Sequence, residues 1–274
     1  MIKLGISEII QKISNRESFT AVSEDYSFVI KIEDYVPLVC GAVHDGHHFP
    51  KDLWVNCTHS AYERWYEEDP CTANFIAKSP IVIKGLESRF AYDLNRAPDD
   101  AVYETAWGKS LWKTPLEKTR KSALLRRHHT FYEVCLHLIN VLEKDFGGCL
   151  VIDMHSYNIK RWDRPVPTFN IGTKNIDEAI FASYIDQWRN LMAAFTLPDN
   201  IASTAHINDV FQGNGYFLKN ITQNSHNTLV LATEVGKVYC DENHQIIFPE
   251  VVHSLQQNFT FAINQLYHSF VEHL

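Results

Sequence analysis

The sequence predicts an α/β fold, a three-layer αβα arrangement around a mixed, largely parallel central sheet. Two observations predict it. Five short runs are apolar or β-branched, several of them apolar at consecutive positions, which suits strands covered on both faces of a sheet, and helical patterns lie between and after them. Taken in order, "MIKLGISEIIQKISNRES" reads as a short amphipathic helix. "VPLVCGAV" (36–43) is the first buried strand. A helix is expected over 69–78, with Asp69 before Pro70 as an N-cap followed by proline at the first helical position. "SPIVIKG" (79–85) is the next strand. The clearest helix runs from about Leu116 to Phe146, with Leu124, Phe131, Val134, Leu138, Val141 and Leu142 on one stripe and Gly147–Gly148 as its stop. "CLVIDMH" (149–155), "PTFNIG" (167–172) and "NTLVLATEV" (227–235) complete the strands, and helices are expected at 176–195 and 249–271.

The totals exclude several classes of function. The chain has 274 residues, 45% of them hydrophobic and 21% charged, the composition of a water-soluble globular protein. No apolar run approaches the roughly 20 residues that span a bilayer. The first residues lack the apolar core and cleavage site of a secretory signal, so a cytoplasmic location is expected. The net charge of −8 gives no global support to nucleic-acid binding. The one basic cluster, "KTRKSALLRRHH" (118–129), reads as a solvated helix face. Six cysteines (Cys40, Cys57, Cys71, Cys135, Cys149, Cys240) form no CxxC pair and are expected to be reduced thiols. Without repeats or linker-like tracts, residues 1–274 are expected to form a single domain.

In largely parallel sheets, ligand sites form at the carboxyl ends of strands. Three strand ends here carry a polar group of metal-ligand or acid/base type: His44, His155 and Glu234. A lone histidine beside a strand is commonly a hydrogen-bonded core residue. Two histidines from neighbouring strand ends with a further donor instead make a zinc site with one open position. The third donor is left open between His47, three residues after His44, and the acidic "EEDP" segment with Glu68 and Asp69. His47 could share the ion if "DG" turns tightly, which Gly46 makes accessible. Asp153 lies on the same strand face as His155 and could orient it. His48 reads as a surface residue. The segment "SRFAYDLNRAPDD" (88–100) offers Arg89, Asp93, Asn95 and Arg96, where a guanidinium could grip a carboxylate.

These motifs, in this order, resemble the N-formylglutamate amidohydrolase family. The family's "PHxG…P" corresponds to "VHDGHHFP", its "VDLNRPPDD" to "YDLNRAPDD", its "DAHS" to "DMHS" and its "LNLGT" to "FNIGT", over roughly residues 37–240. That family is similar to zinc carboxypeptidases and aspartoacylase-like deacylases, so the resemblance implies a phosphorylase/hydrolase-like, zinc carboxypeptidase-like fold. It implies Zn2+ as cofactor, held by His44, His155 and Asp69, with Glu234 as general base and acid. Asn95 and Arg96 would hold a substrate carboxylate, Arg89 would face the scissile carbonyl or that carboxylate, and Tyr216 is a further candidate substrate contact. The residue types suit the chemistry: zinc lowers the pKa of its water from about 15.7 towards about 7, and a nearby carboxylate moves the proton to the leaving amine.

Three departures from the family bear on the substrate. Where the family has an "NGRFKGGY"-like loop, this chain has "NDVFQGNGYF" (208–217), with Val210 near the place of the arginine, a candidate second carboxylate contact. His47 replaces a small residue, and "EEDP" is altered. The expected activity is therefore zinc-dependent hydrolysis of the amide bond of a small N-acyl amino acid, or of a short peptide if the enzyme works as a carboxypeptidase-like peptidase. A non-catalytic module that binds a small carboxylate is the reading from another class, and it leaves Glu234 without a purpose. Neither nucleic acid nor membrane is expected as a partner, and the oligomeric state is left open.

Overall fold

The computed structural model describes residues 1–274. Its strands are β1 (Ile2–Leu4), β2 (Phe19–Ser23), β3 (Phe28–Ile32), β4 (Leu38–Ala42), β5 (Ile81–Gly85), β6 (Thr105–Ala106), β7 (Lys109–Ser110), β8 (Cys149–Tyr157), β9 (Phe169–Gly172), β10 (Ala205–Ile207), β11 (Thr228–Gly236), β12 (Cys240–Asp241) and β13 (Ile246–Ile247). Its helices are α1 (Ile6–Ser14), α2 (Lys51–Asn56), α3 (Ala61–Glu67), α4 (Thr72–Phe75), α5 (Lys118–Phe146), α6 (Glu178–Ala193), α7 (Tyr216–Asn224) and α8 (Pro249–Val271).

Nine strands form one sheet in the order β1-β2-β3-β5-β4-β8-β11-β9-β10. The pairings β1/β2, β5/β4, β4/β8, β8/β11 and β9/β10 are parallel, and β2/β3, β3/β5 and β11/β9 are antiparallel. The sheet is thus mixed and mostly parallel, with helices on both faces, as the sequence predicts. The five predicted strands are all present, as β4, β5, β8, β9 and β11.

Strand alternation divides the core. Val151 on β8 and Val230 on β11 pack with α1, α5 and α7 on one face. Leu150, Ile152, Leu229 and Leu231 pack with α4, α6 and α8 on the other. Trp188 of α6, fully buried, also donates its Nε1–H to Thr233 Oγ1 at 2.9 Å, so its indole satisfies its one polar atom inside the core.

Three differences from the predicted elements have physical reasons. The sheet edge β1–β3 was not foreseen; β2 alternates buried and more exposed positions, the pattern of a half-covered edge and not of a fully buried run. The helix expected at 69–78 shrinks to α4, because its N-cap is Cys71 in a left-handed conformation (φ 71°) and not Asp69. The carboxylate of Asp69 turns instead towards two histidines. Helix α3 was missed although it carries a readable start signal: Ser60 Oγ accepts from the Glu63 amide at 3.1 Å, and Glu63 accepts from the Ser60 amide at 2.7 Å. Gly46 is required by close approach, since a Cβ there would lie 2.3 Å from the Leu86 carbonyl carbon.

Helix α5 ends at Gly147 with φ 86°, whose amide reaches the Glu143 carbonyl. Its basic first half is tied into ion pairs, Arg120 to Asp52 at 2.7 Å and Lys121 to Glu104 at the surface and Arg127 to the buried Glu87. All six cysteines are free thiols. No helix is long and apolar enough to cross a membrane.

Candidate active site

Register brings the candidate groups together. In the parallel β8/β11 ladder, Asp153 lies beside Ala232 and His155 beside Glu234. Parallel neighbours in register share a face, here the one shared with Val151 and Val230. Gly41 of β4 is opposite Asp153, and its missing side chain leaves room for Phe217 of α7, whose ring would lie 3.1 Å from a Cβ there. His44 follows the end of β4, and Asp69 is held beside it by a hydrogen bond from its own amide to the His44 carbonyl at 3.1 Å.

Asp69 sits between the two imidazoles. Its Oδ2 is 3.4 Å from His44 Nδ1 and 3.2 Å from His155 Nδ1, and Ser156 Oγ donates to its Oδ1 at 3.2 Å. All three side chains are buried, and one ligand atom from each lies within 4.8 Å of the others. The far nitrogens have acidic partners: His44 Nε2 is 2.6 Å from Asp93 Oδ1, and His155 Nε2 is 2.9 Å from Asp153 Oδ1. Such pairings fix the tautomer and leave the facing nitrogen free to donate a lone pair. His44 Nδ1 is buried with no hydrogen-bond partner. A buried orphan nitrogen facing a carboxylate and a second imidazole fits a metal ion, and His44, Asp69 and His155 could hold one.

The charges around this group are set by burial and pairing. Burial disfavours ionised Asp69, but the hydrogen bond with His155 and the neighbouring His44 outweigh it and hold the carboxyl well below the usual range. Asp93 is likewise buried, yet Arg89 and His44 keep it ionised. Burial opposes a charge on His155, and Asp153 and Asp69 override that, raising its pKa in the metal-free protein. Glu234 opens on the cavity from β11. Burial pushes its carboxyl up to about 8; His155 and Arg89 counteract the burial, while Asp69 and Asp153 add to it. A cation bound at the histidines would draw it back down.

The cavity holds about 230 Å³ and is lined by His44, Asp69, His155, Glu234, Arg89, Asn95 and Arg96, with Asp153, Ser156 and the 211–215 loop among the remaining walls. Arg89 is already engaged: Nε and Nη2 donate to Asp93 Oδ2 at 3.1 and 2.7 Å, and Nη1 to the Glu67 carbonyl at 3.1 Å. Asn95 Oδ1 accepts the Phe217 amide at 3.0 Å at the start of α7, while its Nδ2 points to His155 Nε2 at 3.4 Å. The exposed guanidinium of Arg96 has no acidic partner, whereas its backbone carbonyl bonds His128 Nε2 at 2.9 Å.

Other expected residues lie elsewhere. His47 Nδ1 pairs with Glu68 Oε2 at 2.6 Å, and Glu68 also accepts from Ser88 Oγ; neither residue is in the ligand group or the cavity wall. Tyr216 also lies outside the wall, with its ring packed on Tyr132 and His128 at 5.0 and 5.7 Å. His48 is exposed, 3.7 Å from Glu87.

Sequence reasoning missed the support beneath the site. Tyr132 donates to the Leu94 carbonyl, and His128 and Tyr132 together brace the 94–96 segment. Lys237, 1% exposed, donates to the Tyr66 carbonyl at 2.6 Å and to Asn158 Oδ1 at 3.0 Å, tying the end of β11 to the segment that leads to Asp69. A lysine closing an apolar strand was the available signal.

A sequence model of the N-formylglutamate amidohydrolase family matches residues 36–239. The chain is similar in structure to the N-formylglutamate amidohydrolase of Ralstonia eutropha JMP134, with a TM-score of 0.73 and 16% identity over 89% of this chain and 97% of that one. It is also similar to a gene product of Agrobacterium tumefaciens, with a TM-score of 0.62 and 15% identity over 88% and 96% of the two chains. No curated protein matches it in sequence. At such identities the structural likeness carries the fold, and the family match carries the class of reaction. Spanning the stretch from the strand before His44 to just beyond Glu234, that match establishes that the chain belongs to the N-formylglutamate amidohydrolase family, hydrolases of C–N bonds.

Proposed function

We propose that the protein, acting as one catalytic unit over residues 1–274, is a zinc-dependent amidohydrolase that cleaves the amide bond of a small N-acyl amino acid. The observation that carries this reading is the convergence of His44, Asp69 and His155 in one cavity with Glu234. Two imidazoles and one carboxylate are the donor set of a catalytic zinc with one position open. Zinc bound there would polarise the scissile carbonyl and make water a nucleophile near neutral pH.

The chain's own residues supply the remaining functions. Arg96, unpaired and lining the cavity, binds the substrate's α-carboxylate, with the Asn95 amide beside it. Glu234 takes a proton from the attacking water and delivers it to the leaving nitrogen, a role open to this cavity carboxyl because a cation bound at the histidines would offset the burial that otherwise pushes it up to about 8. Arg89, locked on Asp93, presents a fixed positive charge to the developing oxyanion. Asp93 and Asp153 hold the two imidazoles in place. The cavity is small: about 230 Å³ falls below the roughly 300 Å³ at which pockets for drug-sized ligands begin, which favours a short acyl group over a peptide.

The test is metal analysis of the purified chain together with amine release from N-formyl, N-acetyl and N-succinyl amino acids. One zinc ion per chain and turnover of at least one such compound is the expected outcome. Stoichiometric zinc without turnover of any of them would sink the reading, as would full turnover after the metal has been stripped.

A further inference from the structure

Taking the proposed amidohydrolase activity as its basis, we infer that the substrate carries a single carboxylate and a neutral, apolar or aromatic side chain, which rests against Phe211. The first support is the charge available in the cavity. Besides His44 and His155, its ionisable side chains are Asp69, Asp153 and Glu234 against Arg89 and Arg96. Arg89 is committed to Asp93 and the Glu67 carbonyl. Arg96 is the one cavity cation without an acidic partner, and it suffices for one carboxylate. Asp153 is buried with His155 as its one charged partner, at 2.9 Å, and its negative charge makes the site still less hospitable to a second anion.

The second support is the loop at the other side of the sheet's centre. Arg96 enters after β5, whereas Phe211 enters after β10, and the two loops meet where a Cβ on Gly215 would lie 2.4 Å from Asn95 Oδ1. Phe211 lines the cavity, 40% exposed, and is backed edge-on by Tyr157 at 5.8 Å and Trp162 at 6.4 Å. The neighbouring Val210 carries no charge. The nearby Arg164 is neutralised by Asp209 at 2.6 Å.

This wall is built into the fold. Asn170, fully buried on β9, accepts the amides of Asp209 and Val210 at 2.9 and 3.0 Å and donates to the Phe211 carbonyl at 2.8 Å. An aromatic side chain held by a clamped backbone is a preformed apolar contact surface. The loop's other cavity-lining side chains, Gln212 and Asn214, are uncharged, so the loop brings no cation for a side-chain carboxylate.

The experiment measures kcat/KM of the zinc-loaded full chain for N-formyl-L-phenylalanine, N-formyl-L-methionine, N-formylglycine and N-formyl-L-glutamate. Phenylalanine and methionine derivatives are expected to exceed the glutamate derivative by at least about 10-fold, the discrimination an apolar pocket supplies. An equal or higher value for glutamate overturns this inference and leaves the proposed activity standing. Turnover of none of the four by protein that holds its zinc overturns the inference and, unless another N-acyl amino acid is cleaved, that reading too. Two variants probe the loop itself. Val210→Arg is expected to raise the glutamate-to-phenylalanine ratio about 10-fold, and Phe211→Ala to lower turnover of the phenylalanine derivative about 10-fold more than that of the glycine derivative. Unchanged ratios in both variants overturn the assignment of this wall. Calorimetric binding of free phenylalanine against free glutamate, which needs no turnover, is expected to rank in the same order.

Discussion

The floor of the cavity and its rim are built by different means. The floor groups sit on or beside three adjacent strands, β4, β8 and β11, and each histidine is pinned from behind by a carboxylate, 2.6 Å for His44 and 2.9 Å for His155. The rim comes from the loops after β5 and β10, whose side chains Arg96 and Phe211 are exposed and whose hydrogen bonds to the fold run through their backbones. Strand ends give fixed positions, which reaction chemistry needs; loops can vary without disturbing the sheet. Disruption of the floor should therefore remove activity on every substrate, while disruption of the rim should change which substrate is preferred.

The largest expected effect is loss of the metal. His155→Ala removes one of two imidazoles and strands Asp153, so zinc per chain should fall well below one, and activity should drop below detection. Plasma emission analysis beside an activity assay checks this, and chelation of the wild-type chain should reproduce the loss reversibly. Retention of a full zinc ion by this variant would break the comparison at its base.

Next in size is Glu234→Gln, which keeps the shape of the side chain and deletes its proton transfer. A fall in kcat of roughly 100- to 10,000-fold is expected, with the zinc content unchanged. Activity within about 3-fold of wild type would instead make Glu234 a wall residue.

The contrast between floor and rim also decided what the sequence could reveal. His44, His155 and Glu234 were legible because each terminates a consecutive apolar run, where a polar group has no reason to stand unless it works or is paired. Asp69 was visible only as one alternative, since DP also reads as a helix start, and the helix begins instead after the left-handed Cys71, which no propensity announces, leaving the Asp69 carboxylate to face the histidines. His47, three residues from His44, looked equally able to ligate; the tertiary position of Glu68 takes it away. The edge strands β1–β3 and the brace of Tyr132 and His128 depend on pairing and packing between distant segments, which periodicity cannot express. Tyr216 shows the same limit, being adjacent in sequence to the rim but packed behind it.

A subtler change to the floor sharpens its internal hierarchy. Asp93→Asn keeps the volume and can still hydrogen-bond His44 Nε2, but it loses the charge that fixes the tautomer and holds Arg89. Zinc affinity is expected to weaken about 10- to 100-fold, measured by competition with a chelating dye. An unchanged affinity would show that the strands alone position His44.

The smallest effect tests the rim. Asn170→Ala deletes three hydrogen bonds that fix residues 209–211 and leaves two amides and a carbonyl in need of new partners, at a cost of about 1–3 kcal/mol in stability by thermal unfolding. Asn170 lies opposite Glu234 in the β9/β11 ladder, so loss of activity alone would not distinguish rim from floor. The split between kinetic constants does. A loosened Phe211 should raise KM for the preferred substrate about 3- to 10-fold and narrow the difference between substrates, with kcat within about 3-fold, because the loop binds ground state and transition state alike. A collapse of kcat comparable to that of Glu234→Gln would mean that the β9 strand belongs to the floor, and that the loop after β10 serves the reaction rather than the choice of substrate.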